Sequence, residues 1–427
     1  MDELGLHNNV LDEIIYRTLD VDIYKTCLIH DADLQKRTEG YIPGRQDKYY
    51  FPRLDMEQHF TMLRQTNDFQ CRFHMSESAY KNLVDILEDD ITVDEKRSMA
   101  STGGNDPISK EMIACMGIRF MGGKKYKSLA DIYGCSKKSA DRVVNRFLWA
   151  VDTSDSPILS IDLLPKTKEE KEKCASDWSN ISGSFGITHG HLAPIDGWLC
   201  TTEMPSDVPN QLDYRSGHYQ RYGLNIQAMC DANLRIIYFA VAGPGKMNDA
   251  RAFRRLIGLR RWIDDLDEGY YISGDNAYPL SNNLLIPYSG SEKHEMYKDV
   301  YNFYLSQLRI RIEMCFGRLT TKWRIFRSDL TFSTPQNSLI ARVGARLHNY
   351  VINADRLNFV NTESDNLMEL EIEPLIDGPT GNMGYLPVRY TGAVNRFVEN
   401  GEHRELKLQM IRERDMERPQ HNVDRNG

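Results

Sequence analysis

Three acidic residues in the central part of the chain have the surroundings expected of metal ligands. Asp275 lies in a turn directly after a short apolar run, residues 270–272, and Asp196 interrupts a longer apolar stretch, residues 191–200. Glu313 lies in a long helical pattern, about 100° around the helix from Ile312 and therefore at the edge of the apolar stripe. Hard divalent cations prefer carboxylate oxygens as ligands. If these three acids meet, they form a site for such cations.

The helix that carries Glu313 is also strongly basic. Residues 301–327 contain six Lys or Arg residues and one acid, in a chain whose net charge is −8. The six are Arg309, Arg311, Arg318, Lys322, Arg324 and Arg327. A localised basic stripe of this kind suits a phosphate backbone. The alternative is a solvated helix face with an ion pair between Arg309 and Glu313, which lie one turn apart.

The elements that must position these acids follow a recognisable order. Strands are predicted at residues 191–200, 222–230 and 234–241, and a helix capped by Asn248 or Asp249 follows them. Two further strands and the basic helix complete the region. The acids thus fall on the first strand, the fourth strand and the last helix. This is the layout of the RNase H-like fold of two-metal nucleases.

The predicted fold class is therefore α/β, with an RNase H-like nuclease core made of a mixed sheet flanked by helices. In-line attack on a phosphodiester bond needs two divalent ions about 4 Å apart, one for the nucleophile and one for the leaving oxygen. Asp196 and Asp275, on neighbouring strands, are expected to bridge the two ions, and Glu313 is expected to complete one of them. The expected cofactor is Mg²⁺ or Mn²⁺.

A helix-turn-helix is predicted before this core, in an otherwise all-helical N-terminal region. Residues 128–133 form a short helix, residues 134–136 a tight turn and residues 137–151 a longer helix. Lys137, Lys138 and Arg142 lie on the first turns of the longer helix, where a recognition helix meets a groove of DNA. The alternative is a helix pair that only packs.

Length and composition are those of a globular protein with room for two or three domains. The chain has 427 residues, 41% of them hydrophobic and 27% charged. Its eight cysteines are scattered without a C-x-x-C pair, so we expect reduced thiols and no zinc site. His189 and His191 have no third nitrogen ligand at the spacing of a known metal site, so a histidine-based site is not expected. No secretory pattern or membrane-length apolar run is present, so we expect a nuclear, or nuclear and cytoplasmic, protein that is neither secreted nor membrane-bound.

Changes in composition predict five segments. Residues 1–95 are a helical N-terminal region, 96–155 contain the helix-turn-helix, 156–188 are a connector, 189–355 are the nuclease core and 356–427 are a linker and C-terminal tail. An amphipathic helix is predicted within that tail.

Four motifs point to a known family when they are taken together. They are Pro194-Ile195-Asp196-Gly197, Gly245-Lys246-Met247-Asn248-Asp249-Ala250-Arg251-Ala252-Phe253, Gly274-Asp275-Asn276-Ala277-Tyr278-Pro279-Leu280 and Arg309-x-Arg311-x-Glu313-x-x-Phe316-Gly317-x-Leu319. Roughly residues 105–350 resemble the PIF/Harbinger-type DDE transposases and the nucleases derived from them, including the plant-transposon-protein branch. One position departs from the family, because many members have His where this chain has Leu199.

The resemblance implies roles for particular residues and partners. Asp196, Asp275 and Glu313 match the catalytic triad, and Asp249 matches a further acid that would be an auxiliary metal ligand, with a helix cap as its alternative role. The implied substrate is DNA, as transposon ends or a related duplex. A separately encoded Myb-like DNA-binding partner is also implied, and an oligomer is compatible with the family.

The sequence therefore predicts a metal-dependent DNA endonuclease or transposase, or a domesticated nuclease derived from one, that hydrolyses DNA by a two-metal mechanism. Two alternatives stay open: a catalytically silent, transposase-derived DNA-binding protein, and a structural protein whose helix-turn-helix only packs. The intact acids count against the first, because a carboxylate cluster without metal repels itself. The residues expected to contact DNA are Lys137, Lys138, Arg142, Arg309, Arg311, Arg318 and Lys322.

Overall fold

A five-stranded mixed sheet lies at the centre of the protein. The computed structural model describes residues 52–94, 96, 107–182, 187–362, 401–416 and 418. The strands are β1 His191–Thr202, β2 Tyr222–Cys230, β3 Ile236–Pro244, β4 Tyr271–Ser273 and β5 Leu284–Leu285. Their order is β3-β2-β1-β4-β5, with β1, β2 and β3 antiparallel and β1, β4 and β5 parallel. The first 51 residues of the predicted N-terminal region and residues 363–400 of the predicted linker lie outside the described residues.

Helices precede and surround the sheet. Those before it are α1 Met56–Gln65, α2 Phe69–Phe73, α3 Glu77–Ile86, α4 Glu88–Ile91, α5 Lys110–Met121, α6 Tyr126–Tyr133, α7 Lys137–Thr153 and α8 Lys168–Ser182. Those that follow are α9 Asp249–Arg255, α10 Ile257–Asp264, α11 Met296–Lys322, α12 Thr334–Thr362 and α13 Glu402–Glu413. Among the helices described, none combines the length and apolarity that a membrane span requires.

Serine caps fix where several helices of the N-terminal part begin. The Ser76 hydroxyl accepts from the Ala79 amide at the start of α3, and the Ser136 hydroxyl accepts from the Ser139 amide at the start of α7. Such caps satisfy amide groups that the first turn of a helix leaves without a partner. The helix start that the sequence predicts after the 134–136 turn is therefore observed.

Helices cover both faces of the sheet. On one face, Trp198 stacks on Phe316 of α11 at 5.8 Å between ring centres and meets Phe326 edge-on at 5.3 Å. On the other face, Ile195 belongs to a core cluster with Phe253 of α9. Burial on both faces explains why β1 is buried along its whole length.

The segment predicted as a connector, residues 156–188, contributes to this cover. Its helix α8 packs on β1, where the indole of Trp178 is buried and donates a hydrogen bond to the Leu192 carbonyl at 2.8 Å. Lys171 of the same helix forms an ion pair with Asp267 at 2.7 Å. The segment is thus a packed part of the sheet region and more than a solvated link.

The amphipathic helix predicted in the C-terminal tail is observed as α13, and it docks on the sheet region. Leu408 and Ile411 are buried in a cluster with Tyr301 and Leu305 of α11. The ammonium group of Lys407 is also buried and donates to the His189 carbonyl at 2.7 Å. Burial lowers the pKa of Lys407 to about 8.

The helical part and the sheet part share one hydrophobic core. Arg342 of α12 forms an ion pair with Asp152 of α7 at 2.8 Å. Within the helical part, α5 and α7 approach closely at Gly117, where an added Cβ would lie 2.0 Å from Cδ1 and 2.7 Å from Cβ of Phe147. Helices α5 and α7 can pack at this distance only because residue 117 has no side chain.

We therefore expect Gly117→Ala to destabilise the protein by about 1–3 kcal/mol, since the added methyl group must push α5 and α7 apart. Gly317→Ala is the matched control, because Gly317 lies within α11 and an added Cβ there would contact nothing within 4 Å. Alanine should stabilise that position by about 0.5–1 kcal/mol through helix propensity. Urea denaturation measures both changes, and equal effects of the two substitutions would contradict the close approach at Gly117.

Candidate active site

The sheet has a gap on one edge of β1. Strand β4 pairs with β1 as far as Pro194 and Ser273 and then ends, whereas β1 continues to Thr202, where Leu330 pairs with it. We call the edge of β1 between these two pairings the sheet gap. Asp196 lies two residues past the last pairing on β1, and Asp275 lies two residues past the end of β4. The charge of Asp275 raises the pKa of Asp196, so the two carboxylates interact at the start of the gap.

Acids reach the gap from both faces of the sheet. Because side chains alternate along a strand, Asp196 shares the face of Trp198, which packs against α11. Gly197 exposes its backbone on the opposite face, where an added Cβ would lie 2.2 Å from Oδ1 of Asp249. The missing side chain of Gly197 is what admits Asp249 of α9 to the gap.

Asp249 is not the cap of its helix. The side chain of Asn248 caps α9 by accepting from the Arg251 amide at 2.9 Å, and Asp249 is the buried first residue of the helix. Its Oδ1 accepts hydrogen bonds from two side-chain amide groups, that of Gln227 at 2.8 Å and that of Asn225 at 3.2 Å. Its Oδ2 is buried and has no hydrogen-bond partner. One carboxylate oxygen is thus held, and the other is free to bind a cation.

A buried polar network behind Asp249 is absent from the sequence-based prediction. The Tyr278 hydroxyl donates to Oε1 of Gln227 at 2.5 Å, and the Asn225 side chain donates to the Met247 carbonyl at 3.0 Å. Asn225 and Gln227 lie two residues apart on the inner part of β2, in a run that is otherwise apolar. Two amides at this spacing in a buried strand are the sequence feature that indicates the network.

Burial raises the pKa values of all three aspartates, and repulsion adds to the effect at Asp196 and Asp249. The pKa of Asp196 lies well above its ordinary value because of burial and then the charge of Asp275, with Arg309 acting in the opposite direction. Burial, and then Asp275, raise the pKa of Asp249 to about 7. Burial also raises the pKa of Asp275, and Arg309 partly offsets it. Without a further cation, it is therefore unfavourable for all three carboxylates to be ionised at once.

Arg309 is the cation of α11 that acts on the sheet gap. It is half-buried, its Nε has no hydrogen-bond partner, and its charge lowers the pKa of both Asp196 and Asp275. Arg309 and Glu313 do not form the ion pair that was the alternative for this helix. Glu313 is half-buried one turn further along and makes no hydrogen bond with any of the three aspartates in the described structure.

The described residues contain no three His, Cys, Asp or Glu side chains close enough together to hold a metal ion. The chemistry of the donors at the gap nevertheless fits one. Hard cations take carboxylate oxygens, and the unpartnered Oδ2 of Asp249 is a buried acceptor without a donor.

The remaining predicted site residues are not bonded to the three aspartates. Lys137, Lys138 and Arg142 are exposed on the first turns of α7, and Arg318 is exposed on α11. Arg311 and Lys322 are half-buried on the same helix. None of these six makes a hydrogen bond or ion pair with Asp196, Asp249 or Asp275 in the described structure.

Two other positions have packing roles. His191 is buried, its Nε2 lies 2.9 Å from the Ser273 hydroxyl, and burial lowers its pKa to about 3. Leu199, where many relatives in the resembled family have His, is buried against the backbone of Gly223 and Gly245.

Residues 195–349 match a family model described as DDE superfamily endonuclease. The match begins just before Asp196, ends within α12, and includes Asp249, Asp275 and Glu313. The match suggests a nuclease-like or transposase-like function for this part of the chain, with DNA as the implied substrate, and domains of this kind generally use divalent metals. No curated protein and no solved structure matched the chain.

The raised pKa of Asp249 predicts how the metal-free protein responds to pH. An ordinary carboxyl group ionises near pH 4, so the unfolded chain loses this proton before the folded chain does, and stability falls as pH rises from about 4 to about 7. The loss is up to about 4 kcal/mol. Asp249→Asn removes the ionisation and should raise the melting temperature in chelator clearly at pH 8 and little at pH 4.

Asp264→Asn is the control, because Asp264 is an exposed acid at the end of α10 and its removal changes the net charge equally. It should shift the melting temperature by a similar small amount at both pH values. If Asp249→Asn behaves like this control, the carboxylate is ionised without cost in the folded protein and the description of the site is wrong.

Proposed function

We propose that this protein is a metal-dependent DNA endonuclease or transposase of the PIF/Harbinger type, or a domesticated nuclease derived from one. The observation that carries the proposal is the electrostatic interaction of Asp275 with Asp196 and with Asp249 at the sheet gap, inside the region that matches the DDE endonuclease model. Buried acids that raise one another's pKa values are uncommon outside functional sites.

The sheet supports an RNase H-like core for this enzyme. Its first three strands are antiparallel, its fourth strand returns beside the first, and helices cover both faces. This order brings the first and fourth strands together, which is the condition for Asp196 and Asp275 to share ions. It also lays α11, with Glu313, across the face of β1 on which Asp196 lies.

We assign Asp196 and Asp275 as shared ligands of two ions, Mg²⁺ or Mn²⁺, with Glu313 completing one coordination sphere and Oδ2 of Asp249 as an auxiliary donor. A pair of such ions supplies an activated nucleophile and stabilises the leaving oxygen of a phosphodiester. The chain itself supplies the carboxylates, the network that orients Asp249 and the counter-charge of Arg309. Because the pKa values of the aspartates are raised, cation binding is expected to release protons from them.

DNA would approach from the more exposed side of the site. Asp275 and Glu313 are half-buried, whereas Asp196 and Asp249 are buried. In this proposal Arg309, Arg311, Arg318 and Lys322 of α11 contact the phosphate backbone near the cut, and Lys137, Lys138 and Arg142 bind as part of a helix-turn-helix formed by α6 and α7. A Myb-like partner, an oligomer and a nuclear location stay predictions of the family resemblance.

A catalytically silent DNA-binding protein is the second candidate. The observation that favours it is that, among the described residues, no three metal-ligating side chains lie close enough together to hold an ion. The two candidates differ in whether divalent cations bind at the gap and support cleavage, which a nicking experiment decides.

We expect the purified protein to nick supercoiled plasmid with Mg²⁺ or Mn²⁺ and to stop when a chelator is added. Asp275→Asn and Glu313→Gln should each lower the rate on the order of 100-fold or more, because residues that only orient metal ligands are already worth about 10–100-fold. Conversion of supercoiled to open-circular plasmid measures the rate.

Glu413→Gln on α13 is the matched control, since it removes an exposed glutamate far along the chain from the gap. It should nick like the unaltered protein. Nicking that survives Asp275→Asn unchanged would assign the activity to a contaminant or to other residues. Cation-independent duplex binding without nicking would favour the silent candidate.

A further inference from the structure

Two basic segments about 200 residues apart meet where the helical part joins the sheet part. The link between α5 and α6 contains Lys124 and Lys125, and a short 3-10 helix, Arg324–Arg327, follows α11. An added Cβ on Gly123 would lie 3.5 Å from the backbone and Cβ of Arg324. The fold therefore brings the segment of Lys124 beside Arg324, although nothing in the sequence of either segment predicts this contact.

The cations at this junction are exposed and lack acidic partners. We call them the junction patch: Lys124, Lys125, Lys127, Arg324 and Arg327, all of them exposed. None forms an ion pair within the described part of the chain. Of the acids nearest in sequence, Asp329 pairs with Arg221, and Asp131 forms no ion pair with Lys127 in the described structure although the two lie one helical turn apart. In a chain of net charge −8, such a group of unneutralised cations is a local feature that suits a polyanion.

Aromatic contacts hold the two halves of the patch in a fixed relation. Tyr126 stacks on Phe120 at 5.1 Å, and both rings meet Phe332 edge-on at 6.0 and 5.7 Å. On the other side, His74 packs edge-on against Trp323 at 5.8 Å. Burial, and then the charges of Arg324 and Lys322, lower the pKa of His74 to about 4, so this supporting ring is neutral.

The patch lies within reach of a duplex bound at the carboxylates. Lys322, at the end of α11, is nine residues from Glu313, which is roughly 14 Å along a helix. That length corresponds to roughly four base pairs of DNA. A duplex cut at the sheet gap and lying along α11 would therefore pass the junction patch.

We propose that the junction patch binds the phosphate backbone of duplex DNA a few base pairs from the scissile bond, joining the α6–α7 surface to the nuclease core as one continuous track. This inference rests on the proposed function for its choice of DNA. It adds a surface formed by Lys124, Lys125 and Arg324, which are separate from the carboxylates and from the first turns of α7.

The test is duplex binding by the full chain as a function of salt. We expect the triple variant Lys124→Ala, Lys125→Ala, Arg324→Ala to bind a labelled random duplex on the order of 10- to 100-fold more weakly near 0.1 M salt. The slope of log affinity against log salt should become shallower by about 0.9 for each phosphate that the variant no longer neutralises. Fluorescence anisotropy in chelator measures both quantities without cleavage.

The control variant removes two lysines and one arginine elsewhere, Lys166→Ala, Lys173→Ala, Arg260→Ala, which are also exposed. It should keep the slope of the unaltered protein, and both variants should keep its melting temperature. Equal slopes for the patch variant and the unaltered protein would show that the junction patch does not bind DNA, even if the protein nicks plasmid. If the unaltered protein binds duplex through the patch and never nicks, the patch stands and the nuclease proposal fails.

Discussion

Repulsion among buried carboxylates is the constraint on which the sheet gap depends. A carboxylate away from water already disfavours its charged form, and a second charge nearby disfavours it further. Asp196 and Asp249 meet both conditions at once, and burial alone raises the pKa of the half-buried Asp275. Such a cluster would be costly as a purely structural element, and a divalent cation removes both penalties together. Arg309 supplies only part of the counter-charge, and it forms no direct ion pair with any of the three.

The surrounding fold is arranged to keep these acids in place. Strand β4 ends after Ser273, so β1 has an open edge beside Asp196. Gly197 lets Asp249 approach the backbone of β1, and the amides of Asn225 and Gln227 hold one of its oxygens. Tyr278, three residues after Asp275, closes the network by donating to Gln227. A loop that carries one acid thus also orients another, which couples their positions.

The helical part packs directly on the sheet part. Arg342 and Asp152 join α12 to α7, and a single hydrophobic core runs from α5 through the sheet. This attachment matters for the proposed function, because misplacement of a substrate by about 1 Å is costly in rate. It also explains how cations from distant segments become one surface at the junction patch.

The sequence by itself indicated the candidate acids, the start of α7 and the central strands. Apolar periodicity and caps are local properties, so Ser136 marks the start of α7, and the run around Asp196 marks β1, without any knowledge of the fold. The order of elements even placed β1 beside β4. Only the tertiary structure decided what surrounds the acids. That Asn225 and Gln227 hold the Asp249 carboxylate, that Arg309 lowers the pKa of two aspartates, and that Gly123 meets Arg324 all depend on contacts between segments far apart in the chain. Periodicity within one segment carries no information about such contacts, because they follow from how whole elements pack.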